Sequence, residues 1–422
     1  MERFTDSAQP SLRFKLFTIF SVVLTGIVVL GQIFRYPGGV RDLVTGAFPG
    51  GVNLHYPRYY LFFAPFLHAA DHLTILSLHQ HIAFIIFVNG VWILSRWFLI
   101  KDQILDWKRR LAESGKILLA DFFYAAILFA IVFFPRPMAR LEADDPDLLI
   151  FNTHSHTSYS WDARKSFTPL KNLLWHQKGG FHANFITDHN VFDGVLESKT
   201  LPQNFSIVAM AGEEVSLFQS HWALLGNNAI VPNSRYDVGA DGIRLFLRDV
   251  RNSQGQAAIA SLPEYWLYHW DHLEDFARWG VDGFEIANSV PVALDFPSRL
   301  RSSVVDLCRK NNLVMVGVTD NHGWGSAVYC WNVIRVPGWR ALPETQVQPA
   351  VLGVMGKDGF SAVRVIVRVK SEPPDHASGL ILDPFLQVWE CARSLPLPHA
   401  ASALVWVWVL WAFAFFKRKR NV

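Results

Sequence analysis

Four long apolar runs constrain this chain more than anything else in it. Leu16–Ile33, Ile82–Ile100, Ile117–Phe134 and Ala400–Phe416 are almost free of charge, and each approaches the ~20 residues a bilayer-spanning helix needs. In hydrocarbon a backbone satisfies its own polar groups only as a helix or a closed barrel, so the runs read as helices. A mean hydropathy of +0.18 agrees with a partly membrane-embedded chain. Arg96 stands near enough to its helix end to snorkel, and Asp121 falls in a first turn. The first run lacks a convincing small-residue cleavage site, so it is expected to be retained. Between the first two runs, Tyr59–Leu78 is apolar but carries Pro65, His68, Asp71 and His72. It is open to reading as a further span, a re-entrant piece or an interfacial helix, with His68, Asp71 and His72 as a wet face.

Basic residues orient these runs. Lys101, Lys108, Arg109, Arg110 and Lys116 fill one connection, and Lys417-Arg418-Lys419-Arg420 stops the last run. Both clusters are expected on the cytoplasmic side, which places the chain from Arg136 to Pro398 on the periplasmic or extracellular side. The domains expected are a membrane region of three or four helices (1–135), a soluble domain (136–398) and a last span with its basic tail (399–422). The net charge of +3 gives no reason to expect nucleic acid. Three scattered cysteines, Cys308, Cys330 and Cys391, exclude a disulfide-dense fold and a cysteine-rich zinc module.

The soluble part alternates short apolar runs with longer amphipathic stretches, as a β/α protein does. Leu148–Phe151 leads into Asn152-Thr153-His154-Ser155-His156, Ala183–Thr187 into Asp188-His189-Asn190, and Ser206–Ala211 into Gly212-Glu213-Glu214. His221 precedes Trp222–Leu225. Ala257–Ala260 leads into Ser261-Leu262-Pro263, Gly283–Ala287 into Asn288-Ser289, and Val314–Thr319 into Asp320-Asn321-His322-Gly323, making seven strand-like runs. Parallel strands joined by helices collect their C-terminal ends on one rim, so distant residues converge there. Strand side chains alternate, so His154 and His156 leave their strand on one side. Two imidazoles aimed at one point suit Zn, Mn or Fe. Alone, the pair reads as readily as a polar strand end.

The order His-x-His, Thr-Asp-His-Asn, Gly-Glu-Glu-Val-Ser, His-Trp-Ala-Leu-Leu-Gly and Asp-x-His, spread over Asp147 to Arg335, resembles the polymerase-and-histidinol-phosphatase (PHP) family of metal-dependent phosphoesterases. The resemblance implies a distorted seven-stranded β/α barrel, here flanked by transmembrane helices. It implies a first divalent metal on His154, His156, Glu214 and Asp320, with Glu214 bridging toward its neighbour. A second metal would sit on Asp162, His189 and His322, although Asp162 is one residue further from His156 than the family's spacing. A third site would use Glu214 and His221, but the family's last histidine is replaced by Leu262, which leaves two metals or a substitute such as His269 or His272. The ions implied are manganese, zinc or iron.

Paired metals of this kind bind phosphate oxygens and lower the pKa of a shared water. Asp188, His189 and Glu214 are the candidate catalytic groups, Asp188 as a residue that orients an imidazole or, equally, as a helix N-cap. Lys165 and Arg299 are candidate phosphate contacts that read more readily as surface charges. His176, His182, His269 and His272 read as surface or core residues. Further on, Gly356-Lys357-Asp358-Gly359 reads as a turn and Ala362–Val369 as an edge strand with Arg364 and Arg368 on one face. Glu372–Asp375 and Leu395–Pro398 read as loop and linker. The function expected is a membrane-anchored phosphoesterase acting on a small-molecule or lipid-linked phosphate. A non-catalytic metal- or phosphate-binding membrane receptor or structural module competes with it. A transporter role would need polar groups lining a cavity, and Asn89, Arg96 and Asp121 are too few.

Overall fold

The computed structural model describes residues 12–100, 107–201, 206–263, 270–374 and 376–420. β1 (Val40–Asp42) and β2 (Val52–His55) lie between the first two apolar helices, and β3 (Arg140–Ala143) follows the third. The seven apolar runs form β4 (Leu148–Asn152), β5 (Ala183–Ile186), β6 (Val208–Leu217), β7 (Ser220–Leu225), β8 (Ala257–Ala260), β9 (Gly283–Asn288) and β10 (Val314–Val318). β11 (Cys330–Arg335) and β12 (Val363–Arg368) complete one ten-stranded sheet in the order β1-β12-β11-β4-β5-β6-β7-β8-β9-β10, while β2 and β3 pair separately. β4, β5, β8, β9 and β10 are buried at every position, which is why they read as continuous apolar runs rather than alternating ones. Phe151, Phe185 and Phe284 are fully buried, each worth roughly 1.5–3 kcal/mol.

The sheet is curled, because β10 doubles back on β4 and β11. The Asn332 amide on β11 acts as a strand partner for Gly317, accepting from its N–H at 2.8 Å and donating to its C=O at 2.7 Å. A side chain at Gly317 would lie 2.7 Å from Val365 Cγ1, so the close approach needs glycine. Beyond the strand ends, Asp320 N–H donates to His154 C=O at 3.0 Å, and His156 N–H donates to Asn321 C=O at 3.1 Å. The termini of β4 and β10 are thereby drawn together.

Several sequence expectations are corrected. β7 runs antiparallel to both β6 and β8, so the strands are not uniformly parallel. β6 extends to Leu217 and carries Glu213 and Glu214 within it instead of beyond its end. β12 is no edge strand, since it lies between β1 and β11. The supposed turn at Gly356–Gly359 is mostly helix, which runs from Glu344 to Asp358 before Gly359 turns the chain at φ 51°. Leu397 and Pro398 already belong to the last helix, whose first turn tolerates proline.

Among the described residues, three helices are long and apolar enough to cross a membrane: Phe14–Ile33, Leu111–Phe133 and Leu397–Arg418. The second apolar run lies in the helix Leu78–Ile100, whose shorter stretch Leu78–Leu94 is apolar; the side chain of Arg96, and Lys101 entirely, lie outside the described residues. Tyr59–Leu78 contains two short helices, Arg58–Phe62 and Ala64–Thr74, each too short to span. His68, Asp71 and His72 are buried there, not wet. His68 Nε2 lies 2.8 Å from His399 Nδ1, and His72 Nε2 lies 2.7 Å from Gln387 Oε1. Asp71 accepts from Arg136 Nη2 at 3.1 Å and pairs with Arg368 Nη1 at 3.0 Å. With β1 on β12 and β2 on β3, these contacts tie residues before 135 to the strands and helices that follow.

Candidate metal centre

The floor of the site comes from strands whose ends the curl brings together. His154 and His156 follow β4, Glu214 projects from β6, and Asp320 follows β10; all four are buried. His154 Nε2 and His156 Nε2 lie 3.1 Å apart. Glu214 Oε2 is 3.0 Å from His154 Nε2, 3.2 Å from His156 Nε2 and 3.2 Å from His189 Nδ1, while its Oε1 is 2.9 Å from His221 Nδ1. One carboxylate thus faces four imidazoles. Asp320 Oδ1 stands 2.9 Å from His156 Nε2 and 3.4 Å from His154 Nε2. Asp320 adopts φ +44°, a left-handed conformation uncommon for aspartate and of the kind that concentrates at functional sites.

The rim is more open. Asp162 Oδ2 lies 3.1 Å from both His189 Nε2 and His322 Nε2. The side chains of Asp162, His322 and His221 retain 23, 18 and 19% exposure, so the rim is open to solvent while the floor is sealed. Ligand-type atoms within 4.8 Å of one another fall into three overlapping groups: His154, His156 and Asp320; His156, Asp162, His189 and His322; His189, Glu214 and His221.

Outer groups fix the imidazoles. His154 Nδ1 is 2.7 Å from Glu285 Oε1, His156 Nδ1 is 3.2 Å from Ser160 Oγ, and His322 Nδ1 donates to Asp320 C=O at 2.8 Å. Each of these rings therefore presents Nε2 to the centre, its Nδ1 held by a partner that sets tautomer and orientation for metal ligation. Glu285 was not among the sequence candidates. Its signal was a carboxylate inside the apolar run Gly283–Ala287, where an unpaired buried charge is costly. Ser261 Oγ donates to its other oxygen at 2.9 Å. Asn288, also unnoticed, donates to Asp320 Oδ2 at 2.9 Å.

The donor set fits divalent metals. Both Glu214 oxygens and His189 Nδ1 are buried without a hydrogen bond, although imidazole nitrogens stand close to them. The distances suit hydrogen bonds but the alignment does not, and a cation shared among these atoms would satisfy them. Burial alone would lower the pKa of His154 and His156. The carboxylates of Asp320 and Glu214 outweigh it, holding His154 well above its usual value and His156 up to about 10. Burial pushes Glu214 upward, but His154 and His189 pull it well below the carboxylate range. Asp162 is lowered likewise by His189 and His322 against its own burial. Such a cluster exchanges protons for metal.

The remaining candidates separate from the cluster. Asp188 neither binds an imidazole nor caps a helix: it accepts from Thr157 N–H at 2.6 Å and from Thr157 Oγ1 at 2.7 Å, holding the loop that leaves His156. Alternation along β6 turns Glu213 away from Glu214, onto Asn227 Nδ2 and Val231 N–H, and burial pushes its pKa up to about 7. Leu262 is 2% exposed within the apolar core. His272 pairs at the surface with Asp275 at 3.6 Å, and His269 lies outside the described residues. Lys165 Nζ binds Ser160 C=O at 2.9 Å, and Arg299 is exposed. His176 and His182 make internal bonds, the first to Asn172 C=O at 2.8 Å and the second accepting from Ile150 N–H at 3.0 Å.

No protein family and no curated protein matches the chain. Among solved structures it is similar to a candidate metal-dependent phosphoesterase from Bifidobacterium adolescentis, at 14% identity and a TM-score of 0.33 over 41% of this chain and 87% of that one. It is also similar to PsfC from Pseudomonas syringae, at 14% and 0.35 over 57% and 98%. An amidohydrolase from Chromobacterium violaceum, solved with sulfate and without metal, matches at 13% and 0.29 over 41% and 87%. Likenesses this distant decide nothing about chemistry, which rests on the side chains above.

Proposed function

We propose that the protein is a membrane-anchored, metal-dependent phosphoesterase whose β4–β10 form a distorted seven-stranded barrel of the PHP type. The supporting observation is the convergence of Nε2 atoms from His154, His156 and His322 on Glu214, Asp320 and Asp162, with each Nδ1 tied outward. His154, His156, Glu214 and Asp320 would hold one divalent ion, and Asp162, His189 and His322 a second. Glu214 stands between the two sets, and with Leu262 in the core a third ion on Glu214 and His221 is incomplete. Bound there, a pair of divalent ions would supply positive charge for phosphoryl oxygens and a water of lowered pKa. The residues do the rest by position. The buried floor excludes water and fixes geometry, and the accessible rim of Asp162, His322 and His221 leaves the coordination sphere open on the cleft side. A purely structural metal site is expected to be closed on all sides.

The apolar helices would anchor the domain on the periplasmic or extracellular side. The test is hydrolysis of a generic phosphomonoester and phosphodiester by the purified protein with manganese or zinc, beside a His154→Ala/His156→Ala variant. Metal-dependent turnover absent from the variant supports the reading. A folded protein that retains metal and hydrolyses neither ester points to a narrow natural substrate or to a binding module, and one that hydrolyses no phosphate ester, lipid phosphates included, refutes the reading.

A further inference from the structure

We infer that the metal centre is built for a phosphate ester whose alcohol is a membrane lipid, an inference that rests on the phosphoesterase reading. A cleft of about 510 Å³ runs from the proposed metal ligands to the end of an apolar helix. Its lining joins Asp162, Asp320 and His322 to the apolar side chains of Val132, Ile75 and Trp324. Val132 is the penultimate residue of the apolar stretch Leu111–Phe133. Its carbonyl accepts from Gly325 N–H at 3.0 Å, so the loop that carries His322 is fastened directly to that helix end.

The mouth has the composition of a membrane–water boundary. Trp324 is 39% exposed and meets the Phe133 ring edge-on with centroids 4.9 Å apart. The exposed Arg164 places its guanidinium 5.3 Å from the Trp324 ring and 5.9 Å from the Phe133 ring. Its backbone N–H donates to His322 C=O at 2.9 Å, which ties the segment carrying Arg164 to the loop of His322. Trp161, 75% exposed, lies 5.9 Å from the His189 ring on another side of the centre. Tryptophan rings and a snorkelling arginine are the residues that settle at headgroup level. A site for a soluble ester has no use for an apolar wall continuous with a bilayer-length helix. An amphiphile does: its phosphoryl group meets the carboxylate–histidine cluster, its headgroup level is marked by Arg164 over the Trp324 and Phe133 rings, and the first carbons of its tail lie along Trp324 and Val132. Hydrolysis then adds water across the P–O bond, hydroxyl to phosphorus and proton to the lipid oxygen. The freed alcohol stays in the membrane and the phosphate leaves into water.

The experiment compares two substrate pairs on the full-length, manganese-loaded protein in lipid nanodiscs. One pair is dioleoyl phosphatidic acid and glycerol 3-phosphate; the other is phosphatidylglycerol and glycerophosphoglycerol. Within each pair only the acyl chains differ. The lipid member is expected to win in kcat/KM by about 100-fold, since the bilayer holds it at high effective concentration beside the cleft while the soluble ester arrives from bulk water. Trp324→Ala and Val132→Asn, on separate elements, should each lower that ratio at least about five-fold. In parallel, a diazirine-bearing phosphatidic acid should label peptides containing Trp324 or Val132, displaced by unlabelled lipid and not by glycerol 3-phosphate. Equal rates within the pairs, or labelling outside the cleft, overturn the inference. Displaceable labelling in the cleft with no turnover of any ester leaves the lipid-phosphate site standing and sinks the phosphoesterase reading instead.

Discussion

Replacing Glu285 by glutamine changes one oxygen for an amide nitrogen and removes a single charge. In the structure Glu285 Oε1 is 2.7 Å from His154 Nδ1, and both residues are fully buried, so no water can take over the contact. The carboxylate holds the Nδ1–H tautomer and makes the opposite nitrogen a stronger base. Glutamine keeps the shape, yet its amide must turn its oxygen to His154 and its NH₂ toward Ser261 Oγ and Asn288 Nδ2, the latter a donor facing a donor. Changing the group that holds a ligating imidazole typically costs about 10–100-fold in metal affinity, or ~1.4–2.7 kcal/mol. Competition against a chromogenic chelator gives the affinity for manganese and zinc, and kcat/KM on an ester gives the functional cost. Metal-free stability supplies the control. Burial raises the pKa of Glu285, against the pull of His154, so the neutral amide relieves an expensive charge and the apo protein is expected to lose little. Affinity within two-fold of the parent, or an apo stability that falls as far as the affinity does, would refute the role given to Glu285.

Further outcomes follow from other parts of the molecule. Metal must displace the proton that His156 holds up to a pKa of about 10, so apparent affinity is expected to rise from pH 6 to 9 with proton release. Calorimetry in two buffers of different ionisation enthalpy checks this, and no proton released at pH 7 contradicts it. Asp282 accepts from Ala258 N–H at 2.8 Å, and burial pushes its pKa up to about 6. Its folded pKa exceeds the ordinary ~3.9, so its contribution to stability is full below about pH 4 and lost as pH rises through 6. Asp282→Asn should flatten that slope in urea titrations and gain up to about 3 kcal/mol above pH 7; an unchanged slope counts against it. Asp71→Asn leaves Arg136 and Arg368 facing each other without their shared carboxylate, at an expected cost of ~3–5 kcal/mol in detergent unfolding.

The buried strands were legible because strands covered on both faces read as unbroken apolar runs, each bounded by polar residues that meet the rim. The convergence of His154, Glu214 and Asp320 follows from those ends. The β6–β7 hairpin was not legible, since its turn places Phe218 at φ 37° and Gln219 at φ 57° without the glycine or asparagine that signals it. The burial of His68, Asp71 and His72 was hidden for another reason. Their partners His399, Arg136, Arg368 and Gln387 lie far away in sequence, and a local pattern cannot distinguish a wet face from a polar one sealed by distant side chains. Glu285 was visible as an anomaly in an apolar run but not as a partner of His154, because nothing local says which way a curled sheet turns.

The pairing of β1 with β12 has a topological consequence. A strand drawn from residues 40–42 sits in the same sheet as one from residues 363–368, so both must lie on one face of any bilayer the chain crosses. Gln80, near the start of the helix Leu78–Ile100, bonds Asp383 at 3.0 Å, and Val132, near the end of the next helix, bonds Gly325; both helix ends open onto that same face. Crossings then come in even number. If Leu111–Phe133 returns to the sheet side, Leu78–Ile100 must first have left it. Were all four helices to cross, the same parity would put the Lys15 end of the first, the Lys108–Lys116 start of the third and the Lys417–Arg418 end of the last on the opposite face together. A sheet built from both ends of the chain thus ties the sidedness of every helix between and beyond its strands to a single choice.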